Sequence, residues 1–201
     1  MTRHQRGYVH QTLRRTTAAA HRELDHHRLL QRLTRKDLTR EQYAESLAAM
    51  YRPHARLERL VHDSRHHADS GLELSARLEL LAADLHELGC SVPPISRISS
   101  DPVDGRAAWW GRVYVLEGSR QGSAVIARCI RSAALGDTLP CRFFGEAMAR
   151  YDHAALLATL ERELSSHDAL DQAVASARAA FMAYKSGLDA FGCGERMVET
   201  R

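Results

Sequence analysis

The spacing of apolar residues restricts this chain more than any other feature: they recur three and four positions apart almost everywhere. That is the period of an amphipathic helix. The composition is rich in Ala, Leu, Arg and Glu, which give up little rotamer freedom in a helix. Strand patterns are nearly absent, so an all-α fold follows. The 201 residues hold no internal repeat, low-complexity tract or linker. The helices are therefore expected to share one core, in a single multi-helix domain spanning 1–201.

The first helix should run from about Tyr8 to Arg28, with Val9, Leu13, Thr17, Ala20 and Leu24 stacked along one side. Thr39 and Gln42 make a capping box that opens a second helix. Its stripe of Tyr43, Leu47, Met50, Leu57 and Val61 passes through Pro53, which is expected to kink it because proline has no N–H for the carbonyl of Ala49. A third helix places Leu74, Leu78, Leu81, Leu85 and Leu88 on one stripe and stops at Gly89, ahead of Pro93 and Pro94. Ser91 to Gly105 reads as a loop. The next helix begins near Arg106, passes Trp109, Trp110, Tyr114 and Leu116, and reaches Ala134, with Gly118 and Gly122 expected to interrupt it. Helices over about Phe144 to Leu164 and Asp168 to Phe191 complete the set, and a polar tail follows from about Gly192.

Several function classes fall away on composition. Lys and Arg total 28 against 25 acidic residues, a net charge of +3, and the cations are scattered among apolar positions instead of forming a run. That argues against nucleic acid as a partner. Cys90, Cys129, Cys141 and Cys193 form no C-x-x-C pair and are too sparse for a disulfide framework, so they read as packing residues in a reducing compartment. Met1 to His10 carries no apolar core of signal-peptide length, and no stretch approaches 18 uninterrupted apolar residues. The expectation is a soluble, cytoplasmic protein with no membrane contact. No zinc spacing, phosphate-binding glycine loop or nucleophile elbow is present, nor the paired Glu-x-x-His motifs of a di-iron bundle.

Twelve histidines are available, and His26, His27, His66 and His67 lie in charged segments that read as solvated. His21 differs, because it falls four residues after Thr17 and three before Leu24, at the edge of the buried stripe, where a metal ligand would face the interior. Asp25, one turn on, can accept the other ring N–H and fix the imidazole tautomer. Arg14, two turns before His21, puts a guanidinium on the same side of the rod. Gly118 and Gly122 strip one helix face of side chains over a turn. Such a face suits either a flat ligand or close packing of a second helix. Ser119 and Ser123 add hydroxyls beside it.

Two of these segments carry a family resemblance. LRRTTAAAH from Leu13 to His21, ending in Asp25, resembles the proximal helix of haem oxygenases, and YVLEGSRQGS from Tyr114 to Ser123 resembles their distal helix. The second is similar to the bacterial branch associated with biliverdin-using phytochromes. The resemblance implies an all-α haem oxygenase-like fold in which haem, lying between the two helices, is both cofactor and substrate. Haem would be opened by O2 and an external electron donor, such as ferredoxin or a flavin reductase, to biliverdin, CO and ferrous iron. A phytochrome would be a candidate recipient of the product. It implies His21 as iron ligand, Asp25 as its partner, Arg14 on a haem propionate, and Gly118 and Gly122 as the distal glycines. Ser119 stands where many animal enzymes carry an aspartate that organises distal water; with the two glycines it makes up the catalytic set. Arg120, Gln121 and Ser123 make the segment more polar than the usual form, with Gln121 in place of a residue expected to pack inward. Arg150 and His153 are further candidates for the propionates. Two rival readings remain: a haem-binding or haem-sensing protein without turnover, and a thiaminase-like helical enzyme without haem.

Overall fold

A computed structural model describes residues 7–92, 105–149 and 151–194. All the regular structure among them is helical. In chain order it comprises α1 (Tyr8–Asp25), α2 (Arg28–Gln31), α3 (Arg40–His62), α4 (Arg65–Ala68), α5 (Leu78–Glu87), α6 (Arg106–Arg131), α7 (Arg142–Gly145), α8 (His153–Glu163) and α9 (His167–Gly194), with short 3-10 turns after α2 and α6.

Local chemistry explains most of the boundaries. The Thr39–Gln42 capping box forms as expected and opens α3, which runs unbroken through Pro53. The third helix starts later than its leucine stripe suggests, at Leu78, because Glu58 of α3 takes the backbone N–H groups of Arg77 and Leu78. Gly89, at φ +80°, ends the segment in the left-handed region that favours glycine. Most of the expected loop from Ser91 to Gly105 lies outside the described residues. The expected interruption of α6 does not occur: hydrogen-bonded helix continues through Gly118 and Gly122. Phe144 to Leu164, expected as one helix, is instead α7, a turn and α8. The Asp84 carboxylate accepts the N–H groups of Arg142 and Phe143, Arg120 takes the carbonyl of Ala147, and Asp152 caps α8. The last helix continues through Gly192 to Gly194, where a polar tail was expected to have begun, and the residues beyond it lie outside the described ones.

Two adjoining clusters make the core. One joins Leu29, Tyr43, Leu47, Leu81, Leu85, Phe143 and Phe144. The other joins Leu13, Val61, Trp109, Trp110, Val113, Leu160 and Ala173. Helix α9 packs along α6, α1 and α3, so it is the common support of the two helices singled out above. It comes close where glycine allows: a Cβ added at Gly111 of α6 would lie 2.2 Å from the carbonyl oxygen of Ala173, and one at Gly187 of α9 would lie 2.9 Å from Pro53. Two of the histidines read as solvated are not. His66 is buried beside Trp109, and the His27 ring caps Leu29 and meets Asp189 at 3.2 Å.

Candidate functional site

On α1, His21 and Asp25 form the expected pair: Nδ1 lies 2.7 Å from Oδ2. This hydrogen bond raises the imidazole pKa above its ordinary value, against the opposing effect of burial. The ring does not face the interior, as its place beside the apolar stripe suggested. Its side chain is 57% exposed, and it packs edge-on against Phe181 of α9 at 5.4 Å. The reason is angular. Thr17 and Leu13 take the inward direction, and His21 lies a fraction of a turn around toward α9. With Nδ1 turned to Asp25, Nε2 is the nitrogen left to bind a metal. Arg14 is exposed, without a carboxylate partner among the described residues, and lies close enough to His10 and Tyr114 to perturb both. Tyr114 of α6 in turn reaches Thr17 of α1.

On α6, Cβ atoms added at Gly118 and Gly122 would meet nothing within 4 Å among the described residues. Of the two uses of a bare helix face, the described helices therefore do not pack closely on it, and they leave an open surface. Gln121 beside it is exposed, whereas Arg120 and Ser123 point into the protein. That reverses the expectation that position 121 faces inward. His153, at the start of α8, bonds Tyr151 and stacks near His10; Arg150 lies outside the described residues.

The structure adds a group that the sequence did not reveal. Arg77, at the start of α5, extends across to α6, where Nη2 donates to Ser119 Oγ at 2.8 Å and Nη1 to Ser123 Oγ at 3.3 Å. Its guanidinium lies over the Phe143 ring, 5.0 Å from the centroid, and the residue is only 2% exposed. Burial and the nearby charge of Arg120 bring its pKa down to about 10. Its backbone is held by Glu58, which accepts the N–H of Arg77 at 2.7 Å and of Leu78 at 3.0 Å, and His54 Nε2 donates to the same carboxylate. Burial alone would raise the Glu58 pKa, but these hydrogen bonds outweigh it and hold the carboxyl at about 2. Burial lowers the His54 pKa below its ordinary value, against the opposing hydrogen bond to Glu58. A second buried pair, Arg120 with Glu117 at 2.6 Å, lies on the inner side of α6, and its guanidinium also takes the carbonyls of Ser75 and Ala147.

Part of this was within reach of sequence reasoning. His54 and Glu58, one turn apart, interrupt the apolar stripe of α3, and Arg120 interrupts that of α6; charges on a buried stripe are seldom unpaired. Arg77 lies outside any periodic segment, so no pattern announces it. The structure thus assembles Ser119 with Arg77 and Ser123, and His21 with Asp25 and Phe181. The two assemblies meet through α9 rather than by direct hydrogen bonds. A cavity of about 210 Å³ against Glu117, Arg120 and Tyr151 lies on another flank of α6 and falls below the roughly 300 Å³ at which ligand pockets usually begin.

Against known proteins, the chain is 35% identical over 124 residues to a haem oxygenase of Xanthomonas campestris pv. campestris (strain 8004), covering 60% of this chain and 72% of that one. The chain belongs to the haem oxygenase family. Its fold is that of the NO- and CO-bound haem oxygenase from Neisseria meningitidis, with a TM-score of 0.69, 21% identity and 94% of each chain covered. No family model matches. Helices α1 and α6 are the ones whose sequences carried the resemblance. Among the described residues no helix is long and apolar enough to cross a membrane.

Proposed function

We propose that this haem oxygenase-family chain binds haem between α1 and α6, over α9, and opens it with O2 and an external electron donor to biliverdin, CO and ferrous iron. The observation that supports this most is the pairing of an outward-facing, carboxylate-oriented His21 with a helix face left bare at Gly118 and Gly122. The residues present fit the group: a single imidazole with Nε2 free, an exposed guanidinium, and an open stretch of backbone.

Bound haem would supply the iron centre at which O2 is reduced and the ring that is attacked. His21 would ligate through Nε2. Asp25 holds the Nδ1 proton, fixes the tautomer and raises the basicity of the ligand. Phe181 steadies the ring from α9. Arg14 would offer its guanidinium to a propionate, and His10, with Tyr114 and His153 near its ring, lies close beside it. Gly118 and Gly122 let the α6 backbone approach a flat ring that any side chain would push away, and Ser119 presents an oxygen at its edge. A ferredoxin or flavin reductase would supply electrons in the cytoplasm, and a phytochrome is a candidate recipient of the biliverdin. Neither nucleic acid nor membrane enters this reading.

The test is to add one equivalent of haemin to the purified protein, then ascorbate or a reductase in air, and to follow the absorption spectrum. A Soret band that forms and then decays as biliverdin's red absorption grows is the expected result. A stable Soret band would instead show a haem-binding protein without turnover, and absence of any band would remove haem from the account. His21→Ala should fold as the wild type does, since the ring is largely exposed, and lose the axial-ligand spectrum of the haemin complex. An unchanged spectrum would reassign the ligand.

A further inference from the structure

Arg77 is an electrostatic anomaly. It is 2% exposed, yet among the described residues no carboxylate lies within ion-pair distance of its guanidinium, which rests on two neutral hydroxyls and an aromatic ring. The other buried arginine is different: Arg120 is paired in a bidentate manner with Glu117. Burying a guanidinium without a directly paired carboxylate is costly, and such a group persists where the surrounding structure holds it for a purpose. Here it is held at three points, by Glu58 at its backbone and by Ser119 and Ser123 at its tip. Two of its five N–H donors go to the serines.

The serines are oriented too. Ser119 gives its own proton to the carbonyl of Leu116 at 2.6 Å, so its oxygen accepts from Arg77 and the hydroxyl does not point a proton outward. Ser119 and Ser123, one helical turn apart, flank the face left bare by Gly118 and Gly122. Glu117 and Glu58 act on the Arg77 guanidinium only at a distance, and a preorganised cation with no carboxylate in direct contact, beside an open surface, is the arrangement that stabilises negative charge arriving there.

We infer that Arg77 makes the glycine face of α6 an anion-stabilising site, selective for a small negatively charged ligand over a neutral one, with Ser119 and Ser123 as positioning residues that aim the guanidinium. This rests on the proposal that haem lies against that face. It gives Ser119 a positioning part, acting through Arg77.

The experiment uses the ferric haemin complex of the full chain, titrated by absorbance with azide, an anion, and with imidazole, a neutral ligand. The ratio of the two affinities is the readout, since a merely structural change moves both. Arg77→Gln should lower the azide-to-imidazole ratio about 10- to 100-fold, the range of a charge-assisted hydrogen bond, and Arg77→Lys should restore part of it. Ser119→Ala combined with Ser123→Ala should lower the ratio about 3- to 10-fold with the charge retained; it decides the matter should Arg77→Gln fail to fold. A normal Soret band with a ratio unchanged in both the Arg77 and the serine variants overturns this inference while leaving the haem reading intact. A wild type that takes up no haemin overturns the haem reading and this inference with it.

Discussion

Helix α6 carries glycines at 111, 118 and 122, and they do opposite work. At Gly111 the missing side chain lets α9 approach until an added Cβ would strike the Ala173 carbonyl at 2.2 Å; at Gly118 and Gly122 the same added atom would meet none of the described residues within 4 Å. One end of the helix is therefore closed by packing between Trp109, Trp110, Val113 and α9. Further along, one face is bare over about a turn at Gly118 and Gly122, and its flank is fixed by hydrogen bonds from Arg77. The same residue type marks a tight joint and an open surface within one helix. Spacing alone does not separate these uses; the neighbour does.

The sharpest way to break the comparison is Gly111→Ala. The obstacle is main chain, which cannot swing aside, so the helices must part, at a cost of about 3 kcal/mol and a fall of roughly 10 °C in Tm. A melt within about 2 °C of wild type would show that the joint is looser than it looks.

Next in size is Glu58→Gln, which weakens the hold on Arg77 and Leu78 and should destabilise the protein by about 2 kcal/mol in urea unfolding, as expected for loss of charged, buried hydrogen bonds. The wild type gives an acid counterpart. Glu58 has a folded pKa of about 2, below an unfolded value near the ordinary glutamate range. Its contribution to stability is thus fully present above about pH 4.5 and is lost as pH falls toward 2. Glu58→Gln should flatten that part of the stability profile, and a profile with the wild-type slope would sink the assignment.

The smallest effect has the opposite sign. Gly118→Ala and Gly122→Ala place a methyl in open space on a continuous helix, so each should raise stability by roughly 0.5–1 kcal/mol through helix propensity, a gain of about 2 °C. Each should also weaken haemin uptake by lifting the ring from the backbone, read by Soret titration. Stability gained together with haem affinity unchanged would mean that the bare face is not where the ring lies.

Much of the architecture was legible beforehand, and for a local reason. The 3.6-residue period gave α1, α3, α6 and α9, and the capping box at Thr39 and Gln42 formed as read. The pairing of His21 with Asp25 needed only i,i+4 geometry within one helix. Failures came where a distant group overrode the local pattern. Leu74 continued a leucine stripe, but Glu58 fixed the start of α5 at Leu78. Phe144 to Leu164 kept its period, yet Arg120 captured the carbonyl of Ala147 and Asp152 capped α8 as a separate helix. Gly118 and Gly122 were expected to interrupt a helix whose flanking turns were strong enough to carry them.

By itself, then, the sequence determined that the chain is helical, where the long helices run and which residues share a helix face, since hydrogen bonds between neighbouring turns encode all three. Tertiary structure decided what lies opposite each face: Ala173 over Gly111, none of the described residues over Gly118 and Gly122, Phe181 beside His21, and Arg77 delivered to Ser119 from a segment with no periodicity of its own. Those meetings depend on elements far apart in the chain being brought together by burial of their apolar faces, a process that no local period records.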